Sequence, residues 1–179
     1  VEATPGKGTN VPLYILGSSL FGAQLAAQLG LPYAFASHFA PGALQDAVAL
    51  YRREFRPSAQ LDAPHVIAGV NVIAADSAAD AQEMFQATKR ARVSLFFGNG
   101  RVFSDDEADM ILDSPQGQHM AQMMKYSAVG TPGAVLEYLE EFTTHADADE
   151  LIVAHQSAAV EDRLRSVELL AEVAGLARV

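Results

Sequence analysis

The stretch Leu13-Tyr14-Ile15-Leu16-Gly17-Ser18-Ser19-Leu20-Phe21-Gly22 decides how the chain is read. An apolar run ends at a glycine, two serines follow, and a helical pattern begins. Val11 to Leu16 reads as a buried strand, opened by Pro12. From Phe21 the period changes: Phe21, Leu25 and Leu29 repeat at helical spacing, and Gly30 stands where a helix C-cap belongs. Ser18 and Ser19 therefore fall at the end of a strand and the start of a helix. Free backbone N–H groups, the positive end of the helix dipole and two hydroxyls suit that junction to an anion. An ordinary serine N-cap would leave the same pattern. The stretch has no lysine of the Walker type and lacks the three-glycine dinucleotide spacing.

The 179 residues are most simply one domain, and half of them are hydrophobic, enough to bury a sizeable core. Twenty-two acidic residues against 12 basic ones give a formal net charge of -10, which disfavours a nucleic-acid partner. Cysteine is absent, which excludes disulfides and thiolate metal sites and fits a reducing, cytoplasmic compartment. No apolar run approaches the roughly 20 residues of a membrane helix, and no signal peptide is visible. The chain opens on Val1 rather than Met, as a piece of a longer protein would.

Along the chain, residues 1–10 read as a loop or linker. A second strand spans Pro32 to Ser37 and ends at His38. Leu44, Val48, Tyr51 and Phe55 mark one face of a helix that stops at Pro57. A third strand runs from His65 to Ala74, and Ser77 with Asp80 forms a candidate capping box for a helix carrying Ala81, Met84, Phe85 and Thr88. Residues 92–130 break the rhythm and read as an insertion before the last strand, either a lid or a packing segment with buried methionines. Thr131-Pro132 opens a helix with Val135, Leu139 and Phe142 on one face. Glu150 to Ala154 is a fourth strand. A last helix carries Val160, Leu164, Val167 and Ala171, with Glu161 one turn before Arg165.

Strand alternates with helix, so the strands should be parallel and joined by right-handed crossovers. An open doubly wound sheet and part of a barrel both fit. Ser18, Ser19, Ser37, His38, Asp76, His155 and Gln156 all fall at strand C-terminal ends, where both architectures place their sites. The five histidines show no metal-ligand spacing with carboxylates, so no metal is expected.

Three stretches resemble the C-terminal half of a luciferase-like flavin-dependent monooxygenase. The first runs from Tyr14-Ile15-Leu16-Gly17-Ser18-Ser19 through Leu29-Gly30-Leu31-Pro32-Tyr33-Ala34-Phe35-Ala36-Ser37-His38-Phe39-Ala40-Pro41. The second is Tyr126-Ser127-Ala128-Val129-Gly130-Thr131-Pro132, leading to Ala148-Asp149-Glu150-Leu151-Ile152-Val153. The third is Arg163-Leu164-Arg165-Ser166 with Glu168-Leu169-Leu170. The resemblance implies the last four strands of a (β/α)8 TIM barrel, a fold of roughly 250 residues when complete. It also implies that an N-terminal half is missing.

The same resemblance implies an oxidoreductase in which reduced FMN and O2 oxidise a small organic substrate through a flavin hydroperoxide. The phosphate of FMN would fall to Ser18 and Ser19, with Gly17 allowing close approach and Leu20 following in the same loop. His38 would face the flavin or substrate pocket. Gly22 replaces a hydroxyl residue found nearby in some relatives. No catalytic acid, base or nucleophile is implied in this half, which alone would be inactive. The open edges of a half-barrel imply a homo-oligomer, and a flavin reductase is an expected partner. A deazaflavin (F420)-dependent oxidoreductase of the same barrel family, or a non-catalytic half-barrel scaffold, would share these features.

Overall fold

The computed structural model describes residues 4–176. In chain order the elements are β1 (Ile15–Gly17), α1 (Leu20–Leu29), β2 (Tyr33–Phe35), a 3-10 turn (Pro41–Ala43), α2 (Leu44–Glu54), β3 (Val66–Ala74), α3 (Ala78–Phe97), α4 (Asp105–Leu112), α5 (Pro115–Gln122), β4 (Ser127–Gly130), α6 (Pro132–Ala146), β5 (Glu150–His155) and α7 (Val160–Val173). Every strand pairing is parallel.

The sheet is organised by β3, the one long strand, whose β-branched run favours extended backbone. One of its edges pairs with β2 at Val66–Ala68 and, further along, with β4 at Asn71–Ala74. Its other edge pairs with β5 through Ile67–Val72. The hydrogen bonds separate the two edges: His65 and Tyr126 serve the β2/β4 side, whereas the Val66 and Val72 carbonyls accept from Asp149 and Gln156 on the β5 side. β4 was not among the four expected strands. It lies at the end of the segment read as an insertion, and its four residues are too few to show a period. α3 also continues to Phe97, so the expected boundary at residue 92 falls inside a helix.

One face of the sheet is covered by α1, α2, α6 and α7. Tyr33, Phe35, Val66, Val70 and Val72 are buried there against Ala26, Val48, Tyr51, Leu139 and Leu170. α2 and α6 bury the expected residues: Leu44, Val48 and Tyr51 in one, Val135, Leu139 and Phe142 in the other. α1 does not. It turns Ala23, Ala26 and Ala27 inward, leaving Phe21 74% exposed and Leu29 outside. Three alanines allow α1 to lie close to α2, an approach that a Phe-Leu stripe would prevent.

α7 likewise buries Ser166, Leu169 and Leu170, whereas Val160, Leu164 and Val167 face outward. Ser166 fixes that rotation, because its hydroxyl accepts the Ala74 N–H at 2.9 Å. Arg165 pairs with Asp76 and Glu168 rather than with Glu161. β1 is shorter than the expected 11–16 and is not buried: Leu16 is 72% exposed at the free edge of the sheet. Ser77 caps α3, accepting from the Asp80 N–H and donating its hydroxyl to the Asp80 carboxylate. The full capping box is at Ser104 and Glu107, opening α4.

α3, α4 and α5 form a small layer of their own around Val93, Ala108 and Met120. Arg90 locks α3 to α4 through Asp105 and Asp109. The first turns of α3 lie over the C-terminal end of the opposite sheet face, where Ile73, Ala75 and Ala81 are buried with Val129 packed on them.

Candidate functional site

The β1–α1 loop is built on Tyr33. Gly17 and Gly22 pass close to its ring; a Cβ on Gly22 would lie 3.4 Å from Tyr33 Cε2, and one on Gly17 would lie 3.7 Å from its hydroxyl. The Tyr33 hydroxyl donates to the Ser19 carbonyl at 3.0 Å. Burial pushes the Tyr33 pKa up to about 12, so it remains a donor at neutral pH. Ser19 is the N-cap of α1 in extended backbone (φ −144°, ψ 162°), yet its side chain makes no capping hydrogen bond. The first turn of α1 carries no acidic residue. Among the described residues its leading N–H groups and the Ser18 and Ser19 hydroxyls have no partner, which leaves them for an anion. Leu20 opens the helix, half-exposed.

Ser18 lines a groove of about 760 Å³ whose opposite walls come from Phe39, Gln45, Met123, Lys125 and Tyr126. Lys125 and Asp46 are its charged residues, and His119 also borders it. The N-terminal end of α1 and the turn after β2 therefore face the end of α5 across one opening.

His38 lies on the sheet face away from α1 and α2. Its ring sits over Gly69: a Cβ at that position would come within 2.4 Å of His38 Nδ1, so only glycine leaves room. The amide of Asn71 donates to the His38 carbonyl at 2.6 Å. His38 Nδ1 and Asn71 Oδ1 are both buried and have no hydrogen-bond partner among the described residues. Burial, and then the Arg92 guanidinium, lower the His38 pKa, so the ring is neutral at pH 7. Arg92, on α3, donates to Gln156 Oε1 at 3.2 Å. The two border a second pocket, of about 400 Å³, with Phe39, Leu95, Phe96 and Met123. Phe39 and Met123 line both pockets.

Other polar residues at this edge are engaged in holding the fold. Buried Ser37 donates to the Gly69 carbonyl, and Asp76 is held by Arg165, which keeps its carboxyl below the usual range. His155 Nδ1 lies 2.7 Å from Ser166 Oγ. The same oxygen accepts the Ala74 N–H, so Ser166 ties β3 to the end of β5. His65 sits at the other end of the sheet beside Glu150. No group of three or more His, Asp or Glu side chains among the described residues could hold a metal ion. Among the described residues no helix is long and apolar enough to cross a membrane.

Sequence reasoning missed Asn71 and Arg92. The only hint was one amide inside the apolar run Val70-Asn71-Val72-Ile73. Arg92 reads as an ordinary helix-surface residue until α3 is laid across the sheet end.

The profile of the family described as luciferase-like monooxygenase matches residues 1–173, and the chain belongs to that family. A protein of Escherichia coli K12 named luciferase-like monooxygenase is 42% identical over 97% of this chain and 52% of its own length. YvbT of Bacillus subtilis is 39% identical over the same shares. The solved structure of apo-MsnO8 superposes with a TM-score of 0.81 at 31% identity, covering 98% of this chain and 54% of that one. The long-chain alkane monooxygenase LadA, at 20% identity and a TM-score of 0.58, shares the fold. So does a coenzyme F420-dependent reductase of Methanopyrus kandleri, at 16% and 0.58. The chain spans about half the length of the curated relatives it matches.

Proposed function

We propose that this family member supplies the phosphate-binding half of a (β/α)8 barrel that uses reduced FMN and O2 to oxidise a small organic substrate. The observation that carries the reading is the β1–α1 junction. Two serine hydroxyls without partners among the described residues stand at the open first turn of a ten-residue helix, and Ser18 borders a groove large enough for a mononucleotide. FMN, once bound and reduced, would bring the redox chemistry with oxygen. The chain's own residues would do the rest. Ser18 and Ser19 donate to the phosphate, and Tyr33 holds the Ser19 carbonyl away from it. Gly17 and Gly22 keep the loop seated on the Tyr33 ring. His38 and Asn71 hold one nitrogen and one oxygen without partners among the described residues at the same edge of the sheet, where a bound ring can be oriented by hydrogen bonds. α5 borders the groove through His119 and Gln122 and would limit water at the opening.

The half-barrel reading also carries an expectation about assembly. The strand face bearing Leu16 and Ile152 is covered by a helix only at its C-terminal end, where α3 packs on Ile73, so the isolated chain should self-associate, with light scattering reporting dimers or larger species.

Fluorescence titration of FMN against the full-length protein tests the cofactor site. Replacing both serines, Ser18→Ala with Ser19→Ala, should weaken binding by about 1–3 kcal/mol, the range for hydrogen bonds to a charged group. Unchanged affinity would remove them from the site. The same loop would receive the phosphate of F420, and the absorbance spectrum of the cofactor that copurifies separates the two.

A further inference from the structure

The second pocket has an electrostatic feature that sets it apart. Three arginines in the described residues are half-buried. Arg52 pairs with Asp147 and Asp149, and Arg90 with Asp105 and Asp109. Arg92 has no carboxylate partner among the described residues, although the chain carries ten more acidic than basic side chains. A cation withdrawn from water without a counter-ion is costly, and that cost is recovered when an anion arrives. The guanidinium is also held in place. The Thr88 hydroxyl lies 2.8 Å from both the Met84 and the Gln156 carbonyls and shares its proton between them, which ties the β5–α7 connection to α3. Gln156 Oε1 then takes one Arg92 N–H, leaving the rest of the planar fork for a ligand. Among the described residues no acidic side chain lines this pocket, and Phe39, Leu95, Phe96 and Met123 supply apolar walls.

We propose that this pocket binds the substrate, and that the substrate is an apolar organic acid whose carboxylate pairs with Arg92 while its body lies against Phe39, Leu95 and Phe96. The proposal deepens the reading of this sheet edge as the mouth of a flavin enzyme and rests on it. Phosphate and carboxylate would occupy different pockets: Ser18 borders the first, Arg92 the second, and Phe39 and Met123 form the shared wall. Such an arrangement sets the substrate's apolar part next to the cofactor groove and its charged end away from it. An Arg–carboxylate pair is favoured here over Lys because the fork can make two parallel hydrogen bonds.

Calorimetric titration of the full-length protein with 4-phenylbutyrate and with neutral 4-phenylbutanamide tests this, alongside FMN titration by fluorescence. The acid should bind at least tenfold more tightly than the amide. Arg92→Gln should abolish that preference, Arg92→Lys should keep part of it, and FMN affinity should be the same in all three proteins. The lysine variant guards against a glutamine variant that fails to fold, which circular dichroism would reveal. Equal binding of acid and amide, no binding of either at millimolar concentration, or a preference that survives Arg92→Gln would overturn the proposal. Loss of FMN affinity in Arg92→Gln would overturn it too, by assigning Arg92 to the flavin phosphate. A protein that binds no FMN yet selects the acid through Arg92 would leave the proposal standing and defeat the flavin reading instead.

Discussion

The two faces of the sheet differ in what they hold. On the helix-covered face Val66, Ala68, Val70 and Val72 are wholly buried, and nearly every neighbour is apolar. The opposite face carries Gly69 and Asn71 on β3, with Leu16 and Ile152 left 72% and 61% exposed on the flanking strands. Alternation along β3 sends even-numbered residues to the first face and odd-numbered residues to the second. One strand thus serves as the centre of the core and as the floor of the candidate site. The covered face tolerates no gap and has little freedom to evolve chemistry. The other, packed by a helix only at its C-terminal end, accommodates a histidine over a glycine and an amide whose oxygen has no partner among the described residues.

The largest effect should come from emptying the covered face. Phe35→Ala removes a ring that is 1% exposed and meets Tyr33 edge-on at 6.1 Å. A loss of about 3–5 kcal/mol is expected, from transfer and cavity terms together, read as a lower urea midpoint. A loss below about 1 kcal/mol would mean that this layer repacks freely and that the contrast between the faces is overstated.

A smaller effect is expected where the layers are stitched together. Ser166→Ala leaves the buried Ala74 N–H and His155 Nδ1 without a partner, at a cost of about 1–3 kcal/mol. The same junction gives a pH signature. Burial lowers the pKa of His155, as it does for His38, so the folded state favours the neutral rings. Stability from these groups is fully present above the unfolded value of about 6.5 and is lost as pH falls through it toward the lowered folded values. The thermal midpoint should drop between pH 7.5 and pH 5. A His155→Asn variant should show a shallower drop over that window. An unchanged slope would place the sensitivity at His38 and so on the opposite face.

What the sequence made legible follows from how local each signal is. β3 and β5 were placed within a residue or so because a β-branched run needs no partner to be recognised. The junction at Ser18 and Ser19 was visible for the same reason, since strand end, glycine and helix start are neighbours in the chain. α1 and α7 were recognised as helices, but their buried sides were misjudged. Each offers two apolar stripes, and only the neighbour decides: α2 selects the alanines, and the Ala74 N–H selects Ser166. His38 was picked out as a strand-end residue. Its seat on Gly69 and the influence of the Arg92 charge link positions 31 and 54 residues apart, which no local pattern encodes.

The smallest effect within this chain should be Leu16→Ala, and it is the one that tests the barrel. Leu16 is largely exposed on the uncovered face, so removing its side chain should change the unfolding free energy by no more than about 0.5 kcal/mol, the range for surface positions. The measurement belongs at a dilution where sedimentation reports a monomer, so that association does not enter the balance. In a closed (β/α)8 barrel the same side chain would point into the interior, and its truncation in the full-length protein should cost about 2–5 kcal/mol, the range for buried leucine. The contrast between the two proteins, not either value alone, carries the inference. Equal and small losses in both would show that the uncovered face stays wet at full length, and the half-barrel reading would fail with it.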